Sequence, residues 1–131
     1  MLDEFVSDSI YFQTHPDDFT ISILFSSMGN YLFKEYIEER ERLNIPLVKT
    51  YNKIVFMGSV APRNCLKEGE TFAKLDQMTD SVDLYVNHKD ALLWMSGLMH
   101  LRGRLGRKGP KDLAKVPDFV NVLNVDSLIV L

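Results

Sequence analysis

The apolar residues of the chain form two kinds of segment that alternate along it. Four short runs are rich in β-branched and aromatic residues, which favour extended strands. These runs cover 19–25, 53–60, 82–88 and 119–125. Stretches with helical spacing or polar sequence lie before and between them. This alternation indicates right-handed βαβ crossovers. We therefore predict an α/β fold with about four mostly parallel strands and helices on both faces.

Three stretches carry apolar residues at helical spacing. They cover 1–13, Met28 to about Leu43, and 90–101. One face of the second stretch can hold its large apolar residues, which are Tyr31, Leu32, Tyr36 and Leu43. We expect this face to pack on the sheet, and we expect Pro46 to end the helix. The stretch 65–80 is polar and has only a weak helical pattern.

Length and charge limit the classes of function. The 131 residues suit one domain with a single core, and a net charge of −3 gives no overall field that would recruit nucleic acid. No apolar run reaches the roughly 18–20 residues of a membrane span, and the acidic start MLDEFVSDS is unlike a secretory signal. We therefore expect a cytoplasmic protein. The single Cys65 excludes an internal disulfide, and we expect a buried, unreactive thiol.

The stretch FSSMGNYLF, 25–33, joins the first strand to the second helical stretch. A nucleophile elbow needs a strand, a sharp turn that presents a serine, and a helix whose first amide faces a developing oxyanion. Ser27 has Gly29 two residues after it, which keeps half of the G-x-S-x-G pattern, but Phe25 stands where the first glycine belongs. The alternative is that Ser26 or Ser27 is a helix N-cap, a position that serine favours.

The segment ILFSSMGNYL resembles the elbow of α/β-hydrolase-fold serine hydrolases, in particular a group of bacterial hydrolase-like proteins of largely unassigned substrate. IVFMGSVAPR, 54–63, resembles the next strand of that fold. LYVNHKDALLWMSGLMHLRGRLGRKGP, 84–110, resembles the strand that carries the acid and its helix. The resemblance covers about 19–125, and only the elbow and the segment around Asp90 are specific.

The resemblance implies ester or acyl hydrolysis through an acyl-serine, without cofactor or metal. Ser27 would be the nucleophile, Asp90 the acid, and the Met28 amide one oxyanion donor. The expected substrate is a small ester or acyl compound. Ser26 replaces the histidine that is common before the nucleophile in this family.

The base expected by the resemblance is missing, because no histidine follows the last strand. His100 is a candidate base on the helical stretch 90–101, His88 is expected to shape the loop before Asp90, and His15 belongs to a turn. The early strand whose loop gives the second oxyanion amide is also missing. We therefore expect the C-terminal half of the fold, apparently truncated, with weak or no activity as an isolated chain. The alternative is a non-catalytic remnant or a binding module on the same scaffold.

Two further hypotheses concern the surface. The loop RGRLGRKGPK, 102–111, carries five cations that could bind phosphate or an acidic partner, or could pair with the acidic helix around 35–41. The run 19–25 has no charge and no proline, so as an edge strand it would favour a homo-oligomer or a partner chain.

Overall fold

Four strands form one sheet in the computed structural model, which describes residues 20–89 and 104–127. The strands are β1 (Ser22–Ser26), β2 (Tyr51–Met57), β3 (Thr79–Val86) and β4 (Val120–Asn124). They lie in the order β1-β2-β3-β4, and all three pairings are parallel. The predicted α/β class with a parallel sheet is therefore confirmed.

Helical segments connect the strands. They are α1 (Met28–Arg42), a 3-10 helix (Thr71–Gln77), the one-turn α2 (Leu105–Lys108) and a second 3-10 turn (Leu113–Lys115). The first 3-10 helix lies within the stretch 65–80, whose sequence has only a weak helical pattern. The helices predicted at 1–13 and 90–101 lie outside the described residues.

One face of the sheet packs against α1 and the first 3-10 helix through stacked aromatic rings. Phe25 of β1 stacks on Phe33 of α1 with ring centroids 4.1 Å apart, and Phe56 of β2 stacks on Phe72 of the 3-10 helix at 4.7 Å. Each such side chain contributes about 1.5–3 kcal/mol by leaving water, so this cluster is the main tie between helices and sheet.

Helix α1 turns a different face to the sheet from the one the sequence pattern indicated. The buried residues are Asn30, Phe33, Tyr36 and Ile37. Of the four residues expected to be buried, only Tyr36 is; Tyr31, Leu32 and Leu43 are exposed. The prediction was wrong because the buried face of α1 includes the polar Asn30 beside Phe33 and Ile37. Hydrophobic spacing alone does not indicate a polar residue on a buried face.

The second face of the sheet carries a polar group at its centre. Lys53 Nζ lies 2.9 Å from Asp83 Oδ2, and Asn121 Nδ2 donates to Asp83 Oδ1 at 3.0 Å. Burial alone would raise the pKa of Asp83, but these two hydrogen bonds outweigh it and hold the pKa below its ordinary value. On the same face Leu24 is 53% exposed. Helix α1 and the first 3-10 helix pack on the first face, so helices on the second face stay a prediction.

Candidate functional site: the serine turn and the carboxyl edge of the sheet

Ser27 is the single residue between β1 and α1. Its amide donates to the carbonyl of Met57 at 3.0 Å, which fixes the turn to the end of β2. Ser26 is the last residue of β1, and Ser27 occupies the N-cap position without a capping hydrogen bond from its side chain. The Ser27 side chain therefore does not cap the helix. The residue is exposed at the carboxyl edge of the sheet, where the ligand-binding sites of open α/β folds lie.

The backbone of Ser27 is strained, with φ 50° and ψ −120°. Among the described residues, Asn44 is the other non-glycine residue with positive φ, and asparagine tolerates that region better than serine does. A sparsely populated conformation of this kind costs on the order of 1–3 kcal/mol and tends to occur at functional sites. A sharp, strained strand-to-helix turn is what a nucleophile elbow requires.

Asn30 holds the turn in place. Its side-chain Nδ2 donates to the carbonyls of Phe25, Ser27 and Met57 at 3.1, 3.0 and 3.2 Å, and the residue is fully buried. One amide group thus joins the end of β1, the turn and the end of β2. The sequence analysis missed Asn30. The available signal was an asparagine three residues after the turn serine, in the first turn of the predicted helix.

The residues that flank Ser27 do not act as the G-x-S-x-G pattern suggests. A Cβ atom added at Gly29 would meet nothing within 4 Å in the described part of the chain, so close backbone packing does not require this glycine. Phe25 stands in the place of the first glycine, and its ring stacks on Phe33 of α1.

Met28 is the first residue of α1, so its amide has no acceptor within the helix. The helix has 15 residues, and its N-terminal dipole favours a negative charge near this amide. The geometry is therefore compatible with the oxyanion role that the resemblance implies. Asp90, His100 and His15 lie outside the described residues, so their expected roles stay predictions.

A histidine–carboxylate pair joins the loops that follow β3 and β4. His88 Nδ1 lies 2.9 Å from Asp126 Oδ2, and the His88 amide donates to Asp126 Oδ1 at 2.7 Å. Desolvation alone would raise the pKa of Asp126, but the hydrogen bonds from the amide and ring of His88 outweigh it and keep the pKa below its ordinary value. The expectation that His88 shapes its loop agrees with these contacts, whereas Asp126 was not considered.

Backbone and side-chain hydrogen bonds fasten both loops. The Asn87 amide donates to the carbonyl of Gly106 at 2.8 Å, and its Oδ1 accepts from the Lys89 amide at 3.0 Å. The Val125 amide donates to the carbonyl of Val86 at 3.0 Å. His88 and Asp126 therefore follow two strands that hydrogen bonds already join at their ends.

Cys65 is not a candidate nucleophile. The residue is buried, and burial raises the pKa of its thiol to about 12. At neutral pH the thiol is therefore protonated, and the thiolate is the reactive form. This agrees with the expected buried, unreactive thiol.

The cations of the loop 102–111 separate in the described structure. Arg104 Nη1 donates to the carbonyl of Val60 at 2.8 Å, whereas Lys111 lines a cavity of about 390 Å³ with Arg63, Lys67 and Lys115. Three of the four acids of α1 pair with cations from outside this loop, namely Glu38 with Lys34, Glu39 with Arg42 and Glu41 with Lys74. Pairing between the loop and the acidic helix is therefore not found in the described ranges.

Other ligand classes and known proteins add no assignment. Within residues 20–89 and 104–127, no group of three or more His, Cys, Asp and Glu residues could hold a metal ion, and no helix there is long and apolar enough to cross a bilayer. Comparison of the chain with protein-family models, curated proteins and solved structures gave no match. The function is therefore argued from the residues and their geometry.

Proposed function

We propose that the chain is a serine-hydrolase-like domain that hydrolyses small esters or acyl compounds through an acyl-enzyme on Ser27, with weak turnover as an isolated chain. The observation that carries the proposal is the strained backbone of Ser27 at φ 50°, in a one-residue turn between a parallel strand and a helix. This backbone presents an exposed serine directly before a free helix N-terminus. The α/β-hydrolase resemblance of the same segment supports the same chemistry.

In this reaction the Ser27 Oγ attacks the acyl carbon, and the Met28 amide stabilises the oxygen that becomes negative. Weak turnover follows from the geometry of the described residues. His88, the one histidine among the described residues, makes its side-chain contact with Asp126 and accepts no hydrogen bond from the Ser27 hydroxyl. General-base help typically contributes about 10²–10⁴-fold, so a poorly aligned base leaves a slow reaction.

The test is the hydrolysis of p-nitrophenyl acetate by the full chain. Ser27→Ala removes the hydroxyl and keeps the Cβ, and Ser26→Ala is a matched control one residue earlier. We expect the rate above the buffer background to be lost in Ser27→Ala and kept in Ser26→Ala. Equal rates for the unchanged chain and Ser27→Ala would overturn the proposal and favour the non-catalytic alternative.

A second candidate function is association through β1, and the position of this strand favours it. In the described part of the chain β1 pairs with β2 alone, which leaves one edge open, and Leu24 beside that edge is 53% exposed. Uncharged open edges readily pair with another chain. Ile23 packs against the core and is unsuitable for a test, so Leu24→Lys is the better variant.

Sedimentation checks this second candidate. We expect the unchanged chain to associate at high concentration, Leu24→Lys to raise the monomer fraction, and Leu113→Lys to leave it unchanged. Leu113 is a suitable control because it is 67% exposed and lies in the second 3-10 turn rather than on β1. A monomeric unchanged chain from micromolar to millimolar concentration would contradict association through the edge.

A further inference from the structure

We propose that His88 is the general base for Ser27 and that Asp126 is the positioning residue that orients its ring. This inference rests on the proposed function, because it assigns the base of the same reaction. It exchanges the two loops of the resembled fold, in which the acid follows the third of these strands and the histidine follows the fourth. Such an exchange is chemically possible because a triad is defined by geometry and roles and not by chain order.

The sheet topology brings the pair and the serine to the same edge. All strands are parallel, so the residues that follow β1, β3 and β4 leave from one side of the sheet. Ser26 is level with Met57, and Phe56 is level with Leu84, so Ser27 lies near the level of the end of β3. Strands β1 and β3 are two apart, which is about 10 Å. A histidine and a serine side chain that reach toward each other can close most of that gap.

The hydrogen bonds of the pair set the tautomer that a base needs. Asp126 has a lowered pKa and is ionised at neutral pH, so its carboxylate can only accept. His88 Nδ1 must therefore carry the proton in the 2.9 Å bond to Oδ2. In the neutral ring Nε2 then holds a lone pair. The His88 side chain is 50% exposed, so the ring is partly open to solvent.

Hydrogen bonds hold both the backbone and the carboxylate of Asp126. The Asp126 amide donates to Asn124 Oδ1 at 2.9 Å, and the amide of His88 donates to the second carboxylate oxygen at 2.7 Å. The carboxylate thus receives the backbone and the ring of one residue on separate oxygens. This two-point contact limits rotation of the imidazole, which is the function of the carboxylate in a catalytic triad.

The proton balance of the reaction is complete with ester and water alone. His88 Nε2 takes the proton of Ser27 Oγ as Oγ bonds to the acyl carbon, and the imidazolium gives it to the leaving alcohol oxygen as the ester C–O bond breaks. Water then attacks the acyl carbon and gives one proton to Nε2. That proton passes to Ser27 Oγ as the acyl group leaves as an acid. Asp126 stays ionised throughout.

The test compares rate constants for labelling of the full chain by a fluorophosphonate, with the labelled residue located by mass spectrometry. His88→Asn is the informative variant, because its amide nitrogen can replace Nδ1 in the bond to Asp126 while the Nε2 base is lost. His88→Ala is tested with and without added imidazole. Asp126→Asn and Asp90→Asn are compared because the resemblance assigns the acid to Asp90. Far-UV circular dichroism and thermal unfolding confirm that each variant folds.

We expect labelling at Ser27 to fall about tenfold in His88→Asn and His88→Ala, because a base that is not aligned with the hydroxyl supplies only part of the usual 10²–10⁴-fold help. Added imidazole should restore part of the labelling in His88→Ala. Labelling of Ser27 should fall further in Asp126→Asn than in Asp90→Asn. Ser27 labelling that is unchanged in His88→Asn would overturn the base assignment and leave the proposed function intact. Loss in Asp90→Asn alone would overturn the role of Asp126. Absence of Ser27-dependent labelling in the unchanged chain would overturn both proposals.

Discussion

Replacing Ser27 by glycine is expected to stabilise the protein while it removes the nucleophile. A non-glycine residue at φ 50° carries strain of on the order of 1–3 kcal/mol, and glycine carries none there. Glycine loses about 0.5–1 kcal/mol more backbone entropy on folding. The difference predicts that Ser27→Gly raises the free energy of unfolding by about 1 kcal/mol. For a domain of this size that gain corresponds to an increase in Tm of roughly 3–5 °C.

Two further variants separate backbone strain from loss of the hydroxyl. Ser27→Ala keeps the strained Cβ and removes a side chain that makes no capping hydrogen bond, so its stability should stay within about 0.5 kcal/mol of the unchanged chain. Asn44→Gly should also have a small effect, because asparagine at φ 56° is tolerated. The assay is urea unfolding followed by far-UV circular dichroism. Equal stabilities of the glycine and alanine variants of Ser27 would refute the argument that this turn stores strain.

Three further predictions concern the turn and the sheet. Asn30→Ala removes a fully buried amide whose two N–H groups are shared by three carbonyls, so it should lower the free energy of unfolding by about 2–3 kcal/mol in urea unfolding; a loss below about 0.5 kcal/mol would show that Asn30 does not hold the turn. Gly29→Ala should raise stability by about 0.5–1 kcal/mol in the same assay, because the described structure leaves room for the methyl group and alanine favours helix; destabilisation would reveal a contact at this position. The pKa of Asp83 is lowered, so its contribution is present above the unfolded-state pKa of about 4 and is lost as the pH falls through the lower folded-state pKa. The stability advantage of the unchanged chain over Asp83→Asn should therefore shrink below about pH 4, and a constant difference from pH 7 to pH 2 would contradict this.

The hydrophobic pattern predicted the four strands, because each contains a short apolar run that is rich in β-branched and aromatic residues. The ends of the strands depended on pairing. Strand β3 begins at Thr79, before the apolar run, because Thr79 and Ser81 pair with Tyr51 and Lys53 of β2. Polar residues at a strand start give no apolar signal, so neighbouring strands decide where such a strand begins.

The buried face of α1 shows a second limit of the sequence. Asn30 is polar and yet lies in the row of buried residues, because the carbonyls of β1 and β2 accept its hydrogen bonds. Those partners become visible only when the strands are in place. Hydrophobic periodicity therefore predicted that Tyr31 and Leu32 are buried, whereas both are exposed in the structure.

The serine turn could be predicted from the sequence, whereas the contact between His88 and Asp126 could not. Ser27 lies between a strand and a helix that are adjacent in sequence, so local pattern located the turn. His88 and Asp126 are 38 residues apart, and their contact depends on β3 and β4 being neighbours in the sheet. No motif links the two residues, so the sequence offered no signal for their contact.

Acid-quench mapping shows most directly whether Ser27 carries the acyl group during ester hydrolysis. The full chain is mixed with p-nitrophenyl acetate, quenched in acid at short times and digested, and the acetylated residues are located by tandem mass spectrometry. We expect an acetyl group on Ser27 that forms early and disappears after the ester is exhausted. This acetyl group should be missing in Ser27→Ala. Acetylation confined to lysines, or an acetyl group on Ser27 that never hydrolyses, would contradict a serine-hydrolase function for this turn.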